Sequence, residues 1–184
     1  MNRRSQALST ARRVVVKVGT GVVTRPDGRL ALGRLGALAE DIHDLVERGL
    51  QVVVVSSGAI GLGAARLGMD TVPTGVVDRQ ACAAAGQGAL VATWDALMGR
   101  LGHPVAQVLL TEDDFLHRER YLNLHATLDR LLAAGAIPDP YVAWGVEDLP
   151  KAKGRSASAI VSDADRLSSV IVPSASASKT QGAR

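Results

Sequence analysis

Lys17-Val18-Gly19-Thr20-Gly21 sets a cation just ahead of two glycines. A lysine ammonium is a compact point charge, and glycine lets the backbone approach a ligand and aim its amides at it, which suits phosphate. Further along, Ser56-Ser57-Gly58-Ala59-Ile60-Gly61 offers hydroxyls and free amides at the start of a helical pattern. Such an end attracts an anion, and a carboxylate serves as well as a phosphate. Each segment also has a plain structural reading, a solvent-facing lysine beside a glycine turn and a serine N-cap. Two nucleotide-binding templates do not fit. The stretch Gly19 to Thr24 lacks the third glycine of a dinucleotide fingerprint, and Lys17 precedes the glycines, whereas a Walker loop ends in Gly-Lys-Ser/Thr.

Other candidates read more simply. Glu112, Asp113 and Asp114 could hold magnesium, but acids in a first helical turn are ordinary partners of the helix dipole. His43, His103, His117 and His125 have no metal-like spacing and read as surface or interface residues, so no metal site is expected. Cys82, the only cysteine, lies among alanines as a small buried hydrophobe, and Trp94 belongs to a helix face as core.

The elements that must position these residues follow from periodicity. Val14 to Val16 is a β-branched run ending at Lys17, followed by a turn at Gly19-Thr20-Gly21. Leu35, Leu38, Ile42, Leu45 and Val46 recur at helical spacing between Leu32 and Arg48, with acids on the other face and Gly49 as a stop. Leu50 to Val55 has the look of a strand buried on both faces. Asp78 to Leu101 is Ala-rich and reads as one helix, or two closely packed where Gly86, Gly88 and Gly99 fall. Pro104 opens a third strand, Thr111 and Asp114 have capping-box spacing, Leu122 to Ala134 is helical, and Ala136-Ile137 starts a fourth strand. Beyond Pro138, Asp139-Pro140 and later glycines and prolines break any period until Leu167 to Val172. Alternating strands and helices predict an α/β, three-layer αβα sandwich with a mainly parallel sheet. In such sheets ligands bind beyond the carboxyl ends of the strands, where both Lys17 and Ser57 fall.

The chain has 184 residues, 47% of them hydrophobic but few aromatic, enough for one aliphatic core. A formal charge of +3, with Arg3, Arg4, Arg12 and Arg13 at the amino end outside any apolar pattern, does not indicate nucleic-acid binding. No apolar run approaches the roughly 20 residues that span a bilayer. One cysteine fits a reducing, cytoplasmic setting. The expected organisation is a disordered leader at 1–12, a domain at 13–172 and a Ser/Ala-rich disordered tail at 173–184.

Five segments, Val14 to Thr20, Val55 to Ile60, Gln80 to Gln87, Gln107 to Thr111 and Arg118 to Asn123, occur in an order that resembles the glutamate 5-kinases of the amino-acid kinase family. Five ordered motifs are far more specific than one, and they cover roughly Arg13 to Pro138. The resemblance implies an αβα sandwich, use of ATP with Mg2+ carried by the nucleotide, and phosphorylation of the L-glutamate side-chain carboxylate in proline biosynthesis. It implies that Lys17 neutralises charge on the transferring phosphoryl group, with Gly19 and Thr20 beside the nucleotide. It also implies that Ser57, with the amides of Gly58 and Ala59, holds glutamate. Asp165, within Asp163-Ala164-Asp165-Arg166-Leu167-Ser168, matches an aspartate that organises catalytic lysines.

The chain departs from that pattern in its last third. The family's Asn-Glu-Asn-Asp run after Ile137-Pro138 is replaced by Asp139-Pro140-Tyr141-Val142, leaving Asp148 of Glu147-Asp148 as a displaced substitute for the aspartate that grips the substrate amino group. Ala164 stands where the family has a substrate-binding asparagine, and Lys179 lies in a low-complexity tail unlike the setting of a second catalytic lysine. The expected domain is therefore incomplete at its carboxyl end, with most of the glutamate side of a site and little of the ATP side. Kinases of acetylglutamate, aspartate or carbamate are the enzymatic alternative, and a non-catalytic carboxylate-binding or assembly protein is the other. Expected partners are L-glutamate and ATP, with a possible homo-oligomer and neither nucleic acid nor membrane.

Overall fold

Valine dominates the first two strands because a strand buried on both faces needs β-branched side chains on each. The computed structural model describes residues 11–111, 113–142 and 170–173. In chain order the elements are β1 (Arg13–Val18), α1 (Thr20–Val23), α2 (Leu32–Glu47), β2 (Gln51–Ser56), α3 (Ala59–Arg66), α4 (Val76–Arg100), β3 (Val105–Leu110), α5 (Asp113–Leu116), α6 (Arg118–Ala133), β4 (Ile137–Val142) and β5 (Val170–Pro173). β1 pairs in parallel with β2 on one edge and with β5 on the other, and β3 pairs in parallel with β4. β4 runs alongside β2.

Period-two alternation divides the strand side chains between two faces. Val14, Val16, Val18, Val52 and Val54 pack with Leu35 and Ile42 of α2, Leu62 of α3, and Leu90, Trp94 and Met98 of α4. Val15 and Val53 turn the other way, onto Leu132 of α6. Parallel strands covered by helices on both faces form the αβα arrangement that alternation of elements led one to expect. Among the described residues no helix is long and apolar enough to cross a membrane.

Three local expectations are corrected. Arg13, read as outside any apolar pattern, is a buried residue of β1. Its guanidinium donates to Gln51 Oε1 at 2.9 and 3.1 Å and to Asp129 Oδ1 at 2.8 Å, tying β1, β2 and α6 together. Gly19-Thr20-Gly21 is not a simple turn, because Thr20 to Val23 closes one helical turn with Gly19 as its N-cap. β4 runs straight through Asp139-Pro140 to Val142 rather than breaking after Pro138. Elsewhere the periodic segments hold, with the second strand starting one residue later than its apolar run, and α4 is one continuous helix.

The Thr111–Asp114 capping box is also present. Asp114 Oδ2 accepts from the Thr111 N–H at 2.7 Å and from its hydroxyl at 2.8 Å, and these bonds, the backbone one foremost, hold the Asp114 carboxyl below the usual carboxylate range. Asp114 is thereby committed to a helix start, and Asp113 lies 3.7 Å from Arg120. The geometry favours dipole and capping work for these acids over a magnesium site.

Candidate functional site

β1 and β2 end side by side. Their register sets Lys17 opposite Val55 and Val18 opposite Ser56, so Lys17 and Ser57 stand on the same carboxyl rim of adjacent strands. Ser57 seals the join: its N–H donates to the Val18 carbonyl at 2.9 Å and its hydroxyl to the same oxygen at 3.0 Å. Thr20 Oγ1 lies 3.4 Å from Ser57 Oγ, linking the two motifs through side chains. Lys17 is exposed, and among the described residues no carboxylate pairs with it.

The backbone amides at both strand ends lack side-chain caps. Neither α1 nor α3 has a side-chain hydrogen bond at its N-cap. The Gly19 carbonyl takes the N–H groups of Val22 and Val23, and the Gly58 carbonyl that of Leu62, which leaves the amides of Thr20 and Gly21 in α1 and of Ala59 to Gly61 in α3 without an intrahelical acceptor. The N-cap of α3 is Gly58, not a serine, because Ser57 spends its hydroxyl on Val18 and Ser56 on Asp139. Gly58 has φ of +104°, which turns the chain so that the amides of Ala59 and Ile60 open toward the rim. A Cβ there would meet the Cβ and Cγ1 of Val23 at 3.3 Å. Gly58→Ala is therefore expected to destabilise the protein by about 1–2 kcal/mol, read as a lower urea midpoint with unchanged slope. Gly19, by contrast, has φ of −77°, which any residue adopts, and a Cβ on Gly19 or Gly21 would meet nothing within 4 Å. There the glycines leave open space instead of relieving strain.

Asp139, bonded to Ser56 beside the rim, is a buried carboxylate that was not singled out from the sequence. It is 1% exposed on β4, and its carboxylate accepts from Ser56 Oγ at 3.1 and 3.2 Å and from the Ser56 N–H at 3.4 Å. Burial pushes its pKa up from 3.8 to about 6, against the two Ser56 hydrogen bonds, which pull it down. The prolines explain how a carboxylate comes to lie inside a sheet. Ile137 donates its N–H to Pro104 at the head of β3, so Asp139 and Tyr141 face β3 with theirs. Pro138 and Pro140 turn the opposite edge toward β2 with no N–H to give. Gln51 and Ser57 donate toward β1, so the Ser56 N–H faces β4, where the Asp139 side chain takes it. The described residues accordingly form no ladder between β2 and β4. The available signal was alternation: Ile137 and Tyr141 pack on the main core, and Asp139 between them shares their face.

Of the residues singled out from sequence, Lys17, Gly19, Thr20, Ser57, Gly58 and Ala59 come together on this rim. Asp148, Ala164 and Asp165 lie outside the described residues.

The chain is 45% identical over 139 residues to a glutamate 5-kinase of Nostoc sp. (strain PCC 7120), an alignment covering 75% of this chain and 37% of that protein. It is 44% identical over 135 residues to that of Geobacter sulfurreducens, covering 73% and 36%, and 48% identical over 132 residues to that of Myxococcus xanthus, covering 72% and 35%. The chain thus spans little more than a third of the length of these relatives. Among solved structures, a UMP kinase from Bacillus anthracis is similar with a TM-score of 0.48 and 17% identity, over 71% of this chain and 52% of that one. A family profile described as amino acid kinase family matches residues 12–146, most of the chain, and by that match the protein belongs to the amino acid kinase family.

Proposed function

We propose that the rim formed by Lys17 and Ser57 is the acceptor side of a phosphoryl-transfer site, acting on the side-chain carboxylate of L-glutamate with ATP as donor. The observation that carries this reading is the direct link between the two motifs, Ser57 bonded to Val18 one residue beyond Lys17. Transfer between two anions needs positioning and charge cancellation more than covalent help from the protein. Lys17 supplies the cation, placed to neutralise charge on the moving phosphoryl group. Gly19 and Thr20 line the approach of the phosphates, where nothing crowds the backbone. The uncapped amides of Gly58 and Ala59 hold the substrate carboxylates, joined by the Ser57 hydroxyl once it turns its hydrogen from the Val18 carbonyl to the ligand. A carboxylate oxygen attacks the terminal phosphorus, its new P–O bond forming as the bond to ADP breaks, which yields glutamyl 5-phosphate. That product is the first intermediate of a route to proline.

The donor set fits nucleotide-borne magnesium better than a protein-held ion. The one buried carboxylate near the rim among the described residues, Asp139, is already engaged by Ser56. The domain is read as 13–172 of a cytoplasmic protein, and its carboxyl-third candidates, Asp148, Ala164 and Asp165, lie outside the described residues. Glutamate 5-kinase names on relatives across 72–75% of this chain support glutamate over other acceptors.

One specific observation favours a second reading, a carboxylate-binding protein without transfer activity: the Asp139-Pro140 strand stands in place of the family's polar run. A single assay separates the two. Glutamate-dependent ADP release by the purified chain is expected to fall on the order of 100-fold in Lys17→Ala. Equal background in both proteins would end the kinase reading, and glutamate binding detected by calorimetry without ADP release would establish the second.

A further inference from the structure

His43 and Glu47 lie one turn apart on α2 and so share a helix face. His103 comes sixty residues after His43, in the connection from α4 to β3, where Gly102 at φ +85° turns the chain and the His103 N–H bonds to the Met98 carbonyl at 3.0 Å. The fold brings the three together: His43 Nδ1 lies 2.9 Å from His103 Nε2, and one ligand atom from each of His43, Glu47 and His103 falls within 4.8 Å of the others. His103 is buried, His43 is half-buried and Glu47 is exposed. Sequence spacing alone read these histidines as unrelated.

We propose that His43, Glu47 and His103 bind a divalent transition-metal ion of borderline softness, with Zn2+ as its representative. Two ring nitrogens at 2.9 Å share one hydrogen, so at least one lone pair already points into the gap. A metal replaces that hydrogen and uses a lone pair from each ring. Tetrahedral zinc with bonds near 2.0–2.1 Å holds its nitrogen ligands about 3.3 Å apart, so the rings need to part by only a few tenths of an ångström. Glu47 reaches the third position by a side-chain rotation, which its exposure permits, and water takes the fourth. Two imidazoles and one carboxylate suit zinc and its neighbours, whereas magnesium and calcium prefer oxygen alone.

The location separates this site from the phosphoryl-transfer rim. α2 leads through Gly49 into the amino end of β2, and His103 precedes the amino end of β3, while Lys17 and Ser57 stand at carboxyl ends. A bound ion clamps α2 to the α4–β3 connection at the far end of the strands.

The test is titration of Zn2+ into the tag-free chain against a chromophoric chelator. One ion per chain is expected, with Kd below about 10 μM. His43→Gln and Glu47→Gln, both on the accessible helix, are each expected to weaken binding at least about tenfold. His117→Gln and His125→Gln, the remaining histidines, should leave it unchanged. Co2+ in place of Zn2+ is expected to give the visible bands of a tetrahedral centre in the wild type and to lose them in His43→Gln. Absence of binding tighter than about 100 μM, or equal affinity in wild type and His43→Gln, overturns the proposal.

Discussion

Gly86→Ala is expected to destabilise the protein by about 3 kcal/mol or more, near the upper end for overpacking, and Gly63→Ala by a similar amount. α3 and α4 cross with these two glycines in contact. A Cβ on Gly86 would fall onto the Ala59 carbonyl oxygen and 2.7 Å from the Gly63 nitrogen, and a Cβ on Gly63 would fall onto the Cys82 carbonyl. Each obstacle is backbone, so no side-chain rotation relieves the clash and the helices must separate. Separation also withdraws Leu62, Leu90 and Trp94 from the core they share with the strands. The consequence reaches the site, because Ala59 is the first residue of α3 and carries one of the amides that open toward the rim. Gly88→Ala is the control. It sits two residues further along the same helix, exposed, with nothing within 4 Å of a new Cβ. It should stabilise by roughly 0.5–1 kcal/mol, since alanine replaces glycine in a helix interior. Urea unfolding of the three variants checks the contrast in sign, and equal midpoints for Gly86→Ala and Gly88→Ala would contradict the close crossing.

Asp139→Asn is expected to stabilise the protein at pH 7 by about 2–3 kcal/mol and to remove a pH dependence. The sign follows from the direction of the shift. Burial raises the Asp139 pKa in the folded chain to about 6, from 3.8. Below 3.8 the carboxyl is protonated in both folded and unfolded states and makes no difference between them. From there to about 6 the unfolded chain ionises first, so stability declines as pH rises; above about 6 the loss is complete and constant. At 1.36 kcal/mol per pH unit that gap amounts to about 3 kcal/mol. Asparagine keeps an oxygen to accept from the Ser56 N–H and hydroxyl while removing the charge. Urea midpoints for wild type and variant at pH 4, 5, 6 and 7 isolate this group from other titrations by difference. Parallel curves across that range would show that the Asp139 carboxylate is not paying a burial penalty.

Much of the architecture lay in local pattern. Leu35, Leu38 and Ile42 at helical spacing, and the valines of β1 and β2, specify their elements because a periodic apolar stripe or a β-branched run has few other ways to leave water. The rim was legible for the same reason: Lys17 and Ser57 follow immediately after strand runs, and neighbouring parallel strands end together. What the tertiary structure alone decided are the relations between distant segments. His43 and His103 meet across sixty residues, Gly63 and Gly86 across a helix crossing, and Arg13 finds Asp129 on the opposite layer. Asp139-Pro140 was misleading because its local preference is for a turn, whereas burial beside Ser56 and the lack of proline N–H groups allow a strand there with its carboxylate turned inward. Short-range order in the chain is set by covalent geometry and the exclusion of water from a stripe. Which polar groups meet inside is set by packing, which depends on the whole chain and has no local signature.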